Sequence, residues 1–314
     1  MENSQWKTAK PMENSDKERN KERFLDSLAS KFEGDKKPEC LILKSPSDIG
    51  VRRNKGRNGA RFAPLAIENV FKKMTDHLAI GSFHSHNVSN QEAEKKDYVR
   101  AIENSSARIR KFLNSASVPT IHLGGGHDHA FPLMSALAKE SKNILIINFD
   151  AHCDTRVDKI PHSGTPFRDF DAASNCPFHL AQVGIHDYAN SAKTLQPLKR
   201  NTMDIIFSET SKEIPKGEKF VDRIFSRCPF PIDQDTALFI SLDCDALSSS
   251  VMSAVSAVNH NGLPSESLYA WIETLKLFPC SRKVFGIYEY NPLYDDLSQK
   301  GARLLAGFAY QFLR

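Results

Sequence analysis

Aspartate and histidine alternate in one short stretch of the chain, directly after a run of apolar residues. Asp150, His152 and Asp154 are separated by single residues and follow Ile144–Ile147. In an extended segment alternate side chains point to the same side, so we expect these three to face one another. Two carboxylates held together repel each other unless a cation or a dense hydrogen-bond network offsets their charge. The spacing therefore indicates a metal site, with a structural polar cluster as the alternative.

A second pair of carboxylates has the same spacing. Asp243 and Asp245 follow the apolar run Ala237–Ile240, with Cys244 between them. On its own, this pair is equally typical of a strand-to-helix turn that aspartates cap. Alternation along a strand end directs Cys244, and likewise Cys153, away from the neighbouring carboxylates. We therefore interpret both cysteines as packing residues and not as ligands.

Three glycines precede a histidine in the third motif. Gly124–Gly126 lead into His127, after the apolar run Thr120–Leu123. Glycine lets the backbone approach another group closely or adopt a positive φ. No Gly-Lys-Ser/Thr follows, which argues against a phosphate-binding loop. His127 is the candidate ligand of this motif, and His129 is predicted to act behind it and not on the metal itself.

Together the three motifs offer four aspartates and two histidines, a set too rich for one ion. Two ions about 3.5–4 Å apart, sharing carboxylates, would use all of them. Oxygen-rich ligands with some imidazole favour manganese over copper or structural zinc. We therefore predict two Mn²⁺ per chain, with these six ligands: His127, Asp150, His152, Asp154, Asp243 and Asp245.

Apolar runs that alternate with helical patterns must position these motifs. The predicted strands are Cys40–Leu43, Thr120–Leu123, Ile144–Phe149, Leu180–Val183, Ala237–Leu242 and Val284–Tyr288, and amphipathic helices are predicted at Ala130–Glu140 and Glu266–Leu277. This alternation predicts a three-layer α/β/α sandwich with a mainly parallel sheet. Ligands of such sheets bind at the carboxyl ends of the strands, which is where the three motifs lie.

Composition and length exclude several classes of protein. The 314 residues are 40% hydrophobic and 25% charged, which suits one globular catalytic domain over residues 38–314 after a polar, partly helical leader over residues 1–37. We expect a cytoplasmic protein, because no apolar run approaches the roughly 20 residues of a membrane span and no secretory signal is visible. The net charge of +4 is small and the basic residues are scattered among acidic ones, which argues against nucleic-acid binding. The six widely spaced cysteines are expected to be reduced.

The motifs resemble the ureohydrolase family of arginases, agmatinases and formimidoylglutamases. The resemblance covers nearly the whole chain from about residue 40 and includes Glu289-Tyr-Asn-Pro292. The chain is most similar to the formimidoylglutamase branch, through Gly50–Arg57, Asp154-Thr-Arg156 and Ser163–Phe167. Phe167 stands where arginases carry a histidine, which argues against an arginase. The resemblance implies an arginase-like fold.

The resemblance also implies how the two ions are held and used. One ion would bind His127, Asp150, Asp154 and Asp243, and the other would bind His152, Asp150, Asp243 and Asp245. Two cations stabilise hydroxide near neutral pH, and that hydroxide would attack the trigonal carbon of an amidine-type substrate. Asp154 would then pass a proton to the leaving nitrogen.

Three residues are predicted to contact the substrate. By resemblance, Glu289 would hold a cationic formimino or guanidino group, with a solvated carboxylate as the alternative. Arg156 and Ser163 would bind a substrate carboxylate, since arginine can grip a carboxylate with two hydrogen bonds. The alternative for Arg156 is a salt bridge that supports the metal loop. Three further arginines are candidates for the pocket wall: Arg53, Arg57 and Arg168.

The predicted reaction is hydrolysis of N-formimino-L-glutamate to L-glutamate and formamide, a step of histidine degradation. Three alternatives stay open: an amidinohydrolase that releases urea from another guanidino compound, a catalytically silent metal-binding homologue, and a single-zinc deacylase on a related fold. The last predicts one metal per chain, which the rich ligand set disfavours. The expected partner is a small amidine or guanidine substrate, and self-association is expected by resemblance.

Overall fold

The computed structural model describes residues 38–75, 82–208 and 217–314, so the predicted leader lies outside the described residues. Eight strands form one sheet: β1 (Cys40–Ser45), β2 (Phe83–Asn87), β3 (Thr120–Gly124), β4 (Asn143–Phe149), β5 (Phe178–Ile185), β6 (Thr202–Ser208), β7 (Thr236–Asp243) and β8 (Arg282–Tyr288). Their order is β2-β1-β3-β8-β7-β4-β5-β6, and every neighbouring pair is parallel. The predicted parallel sheet is confirmed.

All six predicted strands are present, with ends that differ by at most two residues. The two strands that the prediction missed, β2 and β6, form the two edges of the sheet. In β2 only Phe83 is buried, and β6 is half-exposed over most of its length. A strand at an edge packs less of its surface against the core, so it lacks the continuous apolar run that marks the central strands.

Helices connect the strands. In the described part of the chain they are α1 (Ile49–Arg53), α2 (Ala63–Phe71), α3 (Gln91–Lys96), α4 (Tyr98–Ser115), α5 (Ala130–Leu137), α6 (Pro166–Ala173), α7 (Gly217–Phe225), α8 (Ser265–Leu275) and α9 (Lys300–Leu313). The two helices predicted from the sequence correspond to α5 and α8, which end two or three residues earlier than expected. None of the described helices is both long and apolar enough to cross a bilayer.

Alternate residues of β4 show how the layers are built. Leu145, Ile147 and Phe149 pack in one apolar cluster with residues of α2, α7, α8 and α9. Ile144 and Ile146 point the other way and pack in a second cluster with residues of α4, α5 and α6. All five are fully buried, and each such side chain contributes about 1.5–3 kcal/mol of hydrophobic free energy. The sheet is therefore covered by helices on both faces, as the sequence predicted.

The turn after β3 illustrates why glycine is needed where strands end close together. A Cβ on Gly125 would lie 2.0 Å from the main-chain oxygen of Ser47. The Gly125 N–H instead donates to the carbonyl of Ser45, 2.9 Å away. Only glycine allows this approach, which holds the turn carrying His127 against the end of β1.

The cysteines behave as expected. All six are free, and Cys153 and Cys244 are fully buried. Burial raises the pKa of Cys153 to about 12, so its thiol stays protonated at neutral pH. Both residues pack in the interior, as we predicted.

Candidate metal centre

The six predicted ligands meet at the carboxyl ends of three central strands: β3, β7 and β4. Potential ligand atoms of His127, Asp150, Asp154 and Asp243 lie within 4.8 Å of one another, and so do those of Asp150, His152 and Asp245. Asp150 belongs to both groups, as a bridging ligand would. Asp243 joins only the first group, whereas the resemblance also placed it in the second. The structure thus brings together all six predicted metal ligands.

His127 shows that the donor set suits a cation. Its Nδ1 lies 2.8 Å from an oxygen of Asp154 and 3.3 Å from oxygens of Asp150 and Asp243. Yet Nδ1 makes no hydrogen bond of acceptable geometry within the described residues, although the side chain is fully buried. A cation among these four groups would satisfy the nitrogen and offset the three negative charges. The residues present therefore fit a metal ion.

The ring of His127 is held in place by neighbours that the sequence analysis did not identify. Its Nε2 lies 2.8 Å from the hydroxyl oxygen of Ser241. The ring stacks on Tyr288 with centroids 4.8 Å apart and meets the edge of Phe167 at 5.5 Å. A hydrogen bond to the far nitrogen sets the tautomer and the orientation of a metal-binding histidine. Ser241 stands two residues before Asp243, between the apolar run Ala237–Ile240 and the second motif, and this position is the only sequence signal for it.

The second group centres on His152. Its Nδ1 lies 3.0 Å from an oxygen of Asp245 and 3.6 Å from an oxygen of Asp150. The side chain is 34% exposed and faces a cavity. His152 can therefore bind an ion from the solvent-facing side of the centre, while His127 lies on its buried side.

The alternative interpretation of Asp243 and Asp245 as capping residues is also correct in part. One oxygen of Asp243 accepts the N–H of Asp245, 2.9 Å away, at the start of the 3-10 turn Cys244–Ala246. The other oxygen faces His127. Likewise, one oxygen of Asp150 accepts the N–H of His152 at 2.7 Å. These turns fix the carboxylates in the orientation that a metal ion requires.

Proton affinities at the centre depart strongly from ordinary values. Burial, followed by the charge of Asp150, raises the pKa of Asp154 to about 6. Burial would lower the pKa of His127, but the carboxylates of Asp150, Asp154 and Asp243 beside its Nδ1 outweigh burial and raise the pKa well above its usual value. The centre thus holds protons that cations would displace on binding.

The centre opens into a cavity of about 370 Å³. Its wall includes all three predicted substrate residues, Arg156, Ser163 and Glu289, together with Asn54 and Lys55. A cavity of this size accommodates a small metabolite. The structure therefore brings the predicted substrate contacts and the predicted ligands to one place.

Glu289 is not a solvated carboxylate. It follows β8, is only 7% exposed, and accepts the N–H of His127 at 3.0 Å. Its own N–H donates to the carbonyl of Gly125 at 2.8 Å. Burial raises the pKa of Glu289 to about 8. A cationic group of a ligand would favour the ionised form of this carboxylate.

Arg156 and Ser163 are joined by a residue that the prediction did not single out. An Arg156 nitrogen donates to the side-chain oxygen of Asn54 at 2.6 Å, and the Asn54 amide donates to Ser163 Oγ at 3.2 Å. Arg156 also pairs with Asp158 at 2.9 Å, which is a salt bridge of the kind that the alternative predicted. Asn54 lies in the quoted segment Gly50–Arg57, the only sequence signal for it.

Three arginines considered as pocket residues have other roles. They do not line the cavity but hold loops by donating to main-chain carbonyls: Arg53 to Pro161, Arg57 to Val255 and Arg168 to Thr155. The expectation that they form the wall was wrong. A guanidinium that is engaged by loop carbonyls has fewer donors left for a ligand.

Backbone strain is concentrated at the cavity. In the described residues four non-glycine residues have a positive φ, and three of them, Lys55, Asp154 and Glu289, line this cavity. Such conformations cost about 1–3 kcal/mol each and persist where the surrounding structure enforces them. Their clustering is typical of a functional site.

Comparison with known proteins agrees with this geometry. The model of the Arginase family matches residues 38–314. The chain belongs to the arginase family. This confirms the ureohydrolase resemblance, which rested on the three motifs and the segment around Glu289.

Curated relatives within the arginase family include formimidoylglutamases. That of Aeromonas hydrophila is 30% identical over 288 residues, which cover 88% of this chain and 87% of the relative. That of Aeromonas salmonicida is 29% identical over 306 residues, covering 93% and 92%. Among solved structures, a formiminoglutamase of Trypanosoma cruzi with Mn²⁺ has a TM-score of 0.73 at 21% identity, covering 93% of this chain and 97% of that one. The formimidoylglutamase of Bacillus subtilis has a TM-score of 0.72 at 20% identity, covering 90% and 88%. The arginase-like fold is confirmed.

Proposed function

We propose that this arginase-family chain uses two manganese ions to hydrolyse N-formimino-L-glutamate to L-glutamate and formamide. The formimidoylglutamase relatives support this substrate. One observation carries the proposal. The two groups of metal ligands share Asp150, and the cavity beside them is lined by the cation of Arg156 and the carboxylate of Glu289. This arrangement complements a substrate that has both carboxylates and a cationic formimino group.

The chain's own residues would hold the metals and move a proton. One ion would lie among His127, Asp150, Asp154 and Asp243, and the other among Asp150, His152 and Asp245. When bound, such a pair lowers the pKa of a shared water and supplies hydroxide near neutral pH. Asp154 would carry a proton to the leaving amine nitrogen of glutamate. Its burial raises its pKa and so opposes the acidifying effect of nearby cations.

The rest of the cavity would orient the substrate. Glu289 would pair with the formimino cation beside the metal centre, because its burial strengthens the attraction between the two charges. Arg156 would grip a substrate carboxylate. Ser163 would donate its hydroxyl proton to the same carboxylate, because its oxygen already accepts from Asn54. Asn54 positions both residues and need not touch the substrate.

A substrate panel tests the proposal. Purified full-length protein with Mn²⁺ receives formiminoglutamate, arginine, agmatine and guanidinobutyrate separately, and glutamate, formamide and urea are quantified. We expect glutamate and formamide in equal amounts from formiminoglutamate, and their loss in Asp150→Asn. Asp204→Asn, on the edge strand β6, serves as the matched control and retains activity.

Each other outcome would replace the proposal with a specific alternative. Urea release without formamide would identify an amidinohydrolase of a guanidino compound. Two bound metals per chain without turnover of any of the four compounds would identify a catalytically silent homologue.

A cytoplasmic location and self-association remain predictions.

A further inference from the structure

A second cluster of potential metal ligands lies outside the catalytic cavity. Glu94 belongs to α3, and Asp128 and His129 belong to the turn after β3. One potential ligand atom of each lies within 4.8 Å of the other two. Their exposed fractions are 1%, 4% and 0%. His129 was predicted to lie behind His127, but it takes part in this separate cluster.

Each member of the cluster has a buried atom without a partner. Within the described residues, no hydrogen bond reaches Glu94 Oε1, Asp128 Oδ1 or either ring nitrogen of His129. His129 Nε2 lies 3.7 Å from Glu94 Oε1, which is too far for a hydrogen bond. Native proteins rarely leave so many buried polar atoms unpaired in one place. The unpaired atoms therefore point to a group that would lie among them.

The remaining carboxylate oxygens are already engaged. The hydroxyl of Ser47 donates to Glu94 Oε2, and the hydroxyl of Tyr98 donates to Asp128 Oδ2 at 2.6 Å. These bonds orient the two carboxylates and leave Oε1 and Oδ1 for another partner. An ion that binds histidine nitrogen and carboxylate oxygen together would give a partner to Glu94 Oε1, Asp128 Oδ1 and one of the two ring nitrogens of His129.

An ion could reach the cluster from outside. Asp128 lines a cavity of about 380 Å³ that is bordered by α4 and by the loop at Pro161 and His162. Glu94 lines a separate, shallow surface pocket next to Ile49. The cluster is thus buried but adjoins space on both sides.

We propose that Glu94, Asp128 and His129 bind a third divalent cation. Two carboxylate oxygens with one imidazole nitrogen suit Mn²⁺ or Zn²⁺. None of the three residues lines the catalytic cavity, so this ion has a structural role: it ties α3 to the turn that carries His127. The inference goes beyond the proposed hydrolase activity and does not depend on it.

Metal counting tests this site. Full-length protein is stripped with a chelator, reloaded with Mn²⁺ or with Zn²⁺, desalted, and analysed for metal ions per chain. We expect three ions in the wild type and two in Glu94→Gln. Glu92→Gln is the matched control, because Glu92 lies on the same helix with a side chain that is 72% exposed. It should retain three.

The outcomes separate cleanly. One ion fewer per chain in Glu94→Gln than in the wild type, with either metal, supports the site. Equal counts in the two proteins with both metals overturn it, because then no bound ion depends on Glu94. If Glu94→Gln fails to fold, the test is an anomalous difference map of wild-type crystals with Zn²⁺. A peak among the three side chains supports the site, and no peak there overturns it. Turnover plays no part, so this proposal and the proposed function fail independently.

Discussion

Replacement of Ser241 by alanine provides a quantitative test of the metal centre. The Ser241 hydroxyl lies 2.8 Å from Nε2 of His127, and both side chains are fully buried. Its removal leaves a buried ring nitrogen unpaired, which costs about 1–3 kcal/mol. Loss of such an outer partner of a metal-binding histidine typically lowers affinity about 10–100-fold, or about 1.4–2.7 kcal/mol. The first cost lowers the free energy of unfolding, and the second weakens metal binding, so we expect the ion at His127 to bind about 10–100-fold more weakly in Ser241→Ala.

The assay is a competition titration of Mn²⁺ against a chelator, which resolves two strong binding steps at the catalytic centre. Only one step should weaken, because Ser241 contacts His127 and not His152. The matched control is Ser45→Ala. Ser45 Oγ lies 2.9 Å from Nε2 of His122, again with both side chains fully buried, but His122 is not a candidate ligand. Ser45→Ala should lower the free energy of unfolding and leave metal affinity unchanged.

Two results would refute this reasoning. Unchanged affinity in Ser241→Ala would mean that His127 does not hold an ion in the orientation seen here. An equal loss of affinity in Ser45→Ala would mean that general destabilisation, and not the orientation of His127, weakens metal binding.

The remaining predictions concern the substrate residues. Arg156→Lys keeps the positive charge but loses the planar guanidinium, so we expect KM for formiminoglutamate to rise about tenfold with a smaller change in kcat. Asn54→Ala should act in the same direction. A constant KM in steady-state kinetics would contradict this prediction. In metal-free protein the pKa of Glu289 rises from 4.5 to about 8 on folding. Between these two pH values the folded state holds a proton that the unfolded state has released. The free energy of unfolding therefore falls as the pH rises from 5 to 8. Glu289→Gln should reduce that fall in urea denaturation, and an identical pH dependence in both proteins would exclude Glu289 as its source.

The chemistry of the candidate site could be predicted from local sequence, because each motif follows its own strand. Asp150, His152 and Asp154 alternate after an apolar run, and parallel strands bring their carboxyl ends to one edge of the sheet. Central strands are buried on both faces, so six of the eight were visible as apolar runs. The edge strand β2, Phe-His-Ser-His-Asn, carries no such signal.

Local sequence thus specifies the residues that are able to bind metal and the edge of the sheet at which they meet. The residues that support these ligands become visible only once the chain is folded. Asn54 lies 102 residues from Arg156, and His127 lies 114 residues from Ser241. These contacts depend on the strand order, which places β7 beside β4 although β5 and β6 lie between them in the chain. Local preferences and side-chain periodicity act over a few residues, so they carry no information about which distant segments become neighbours.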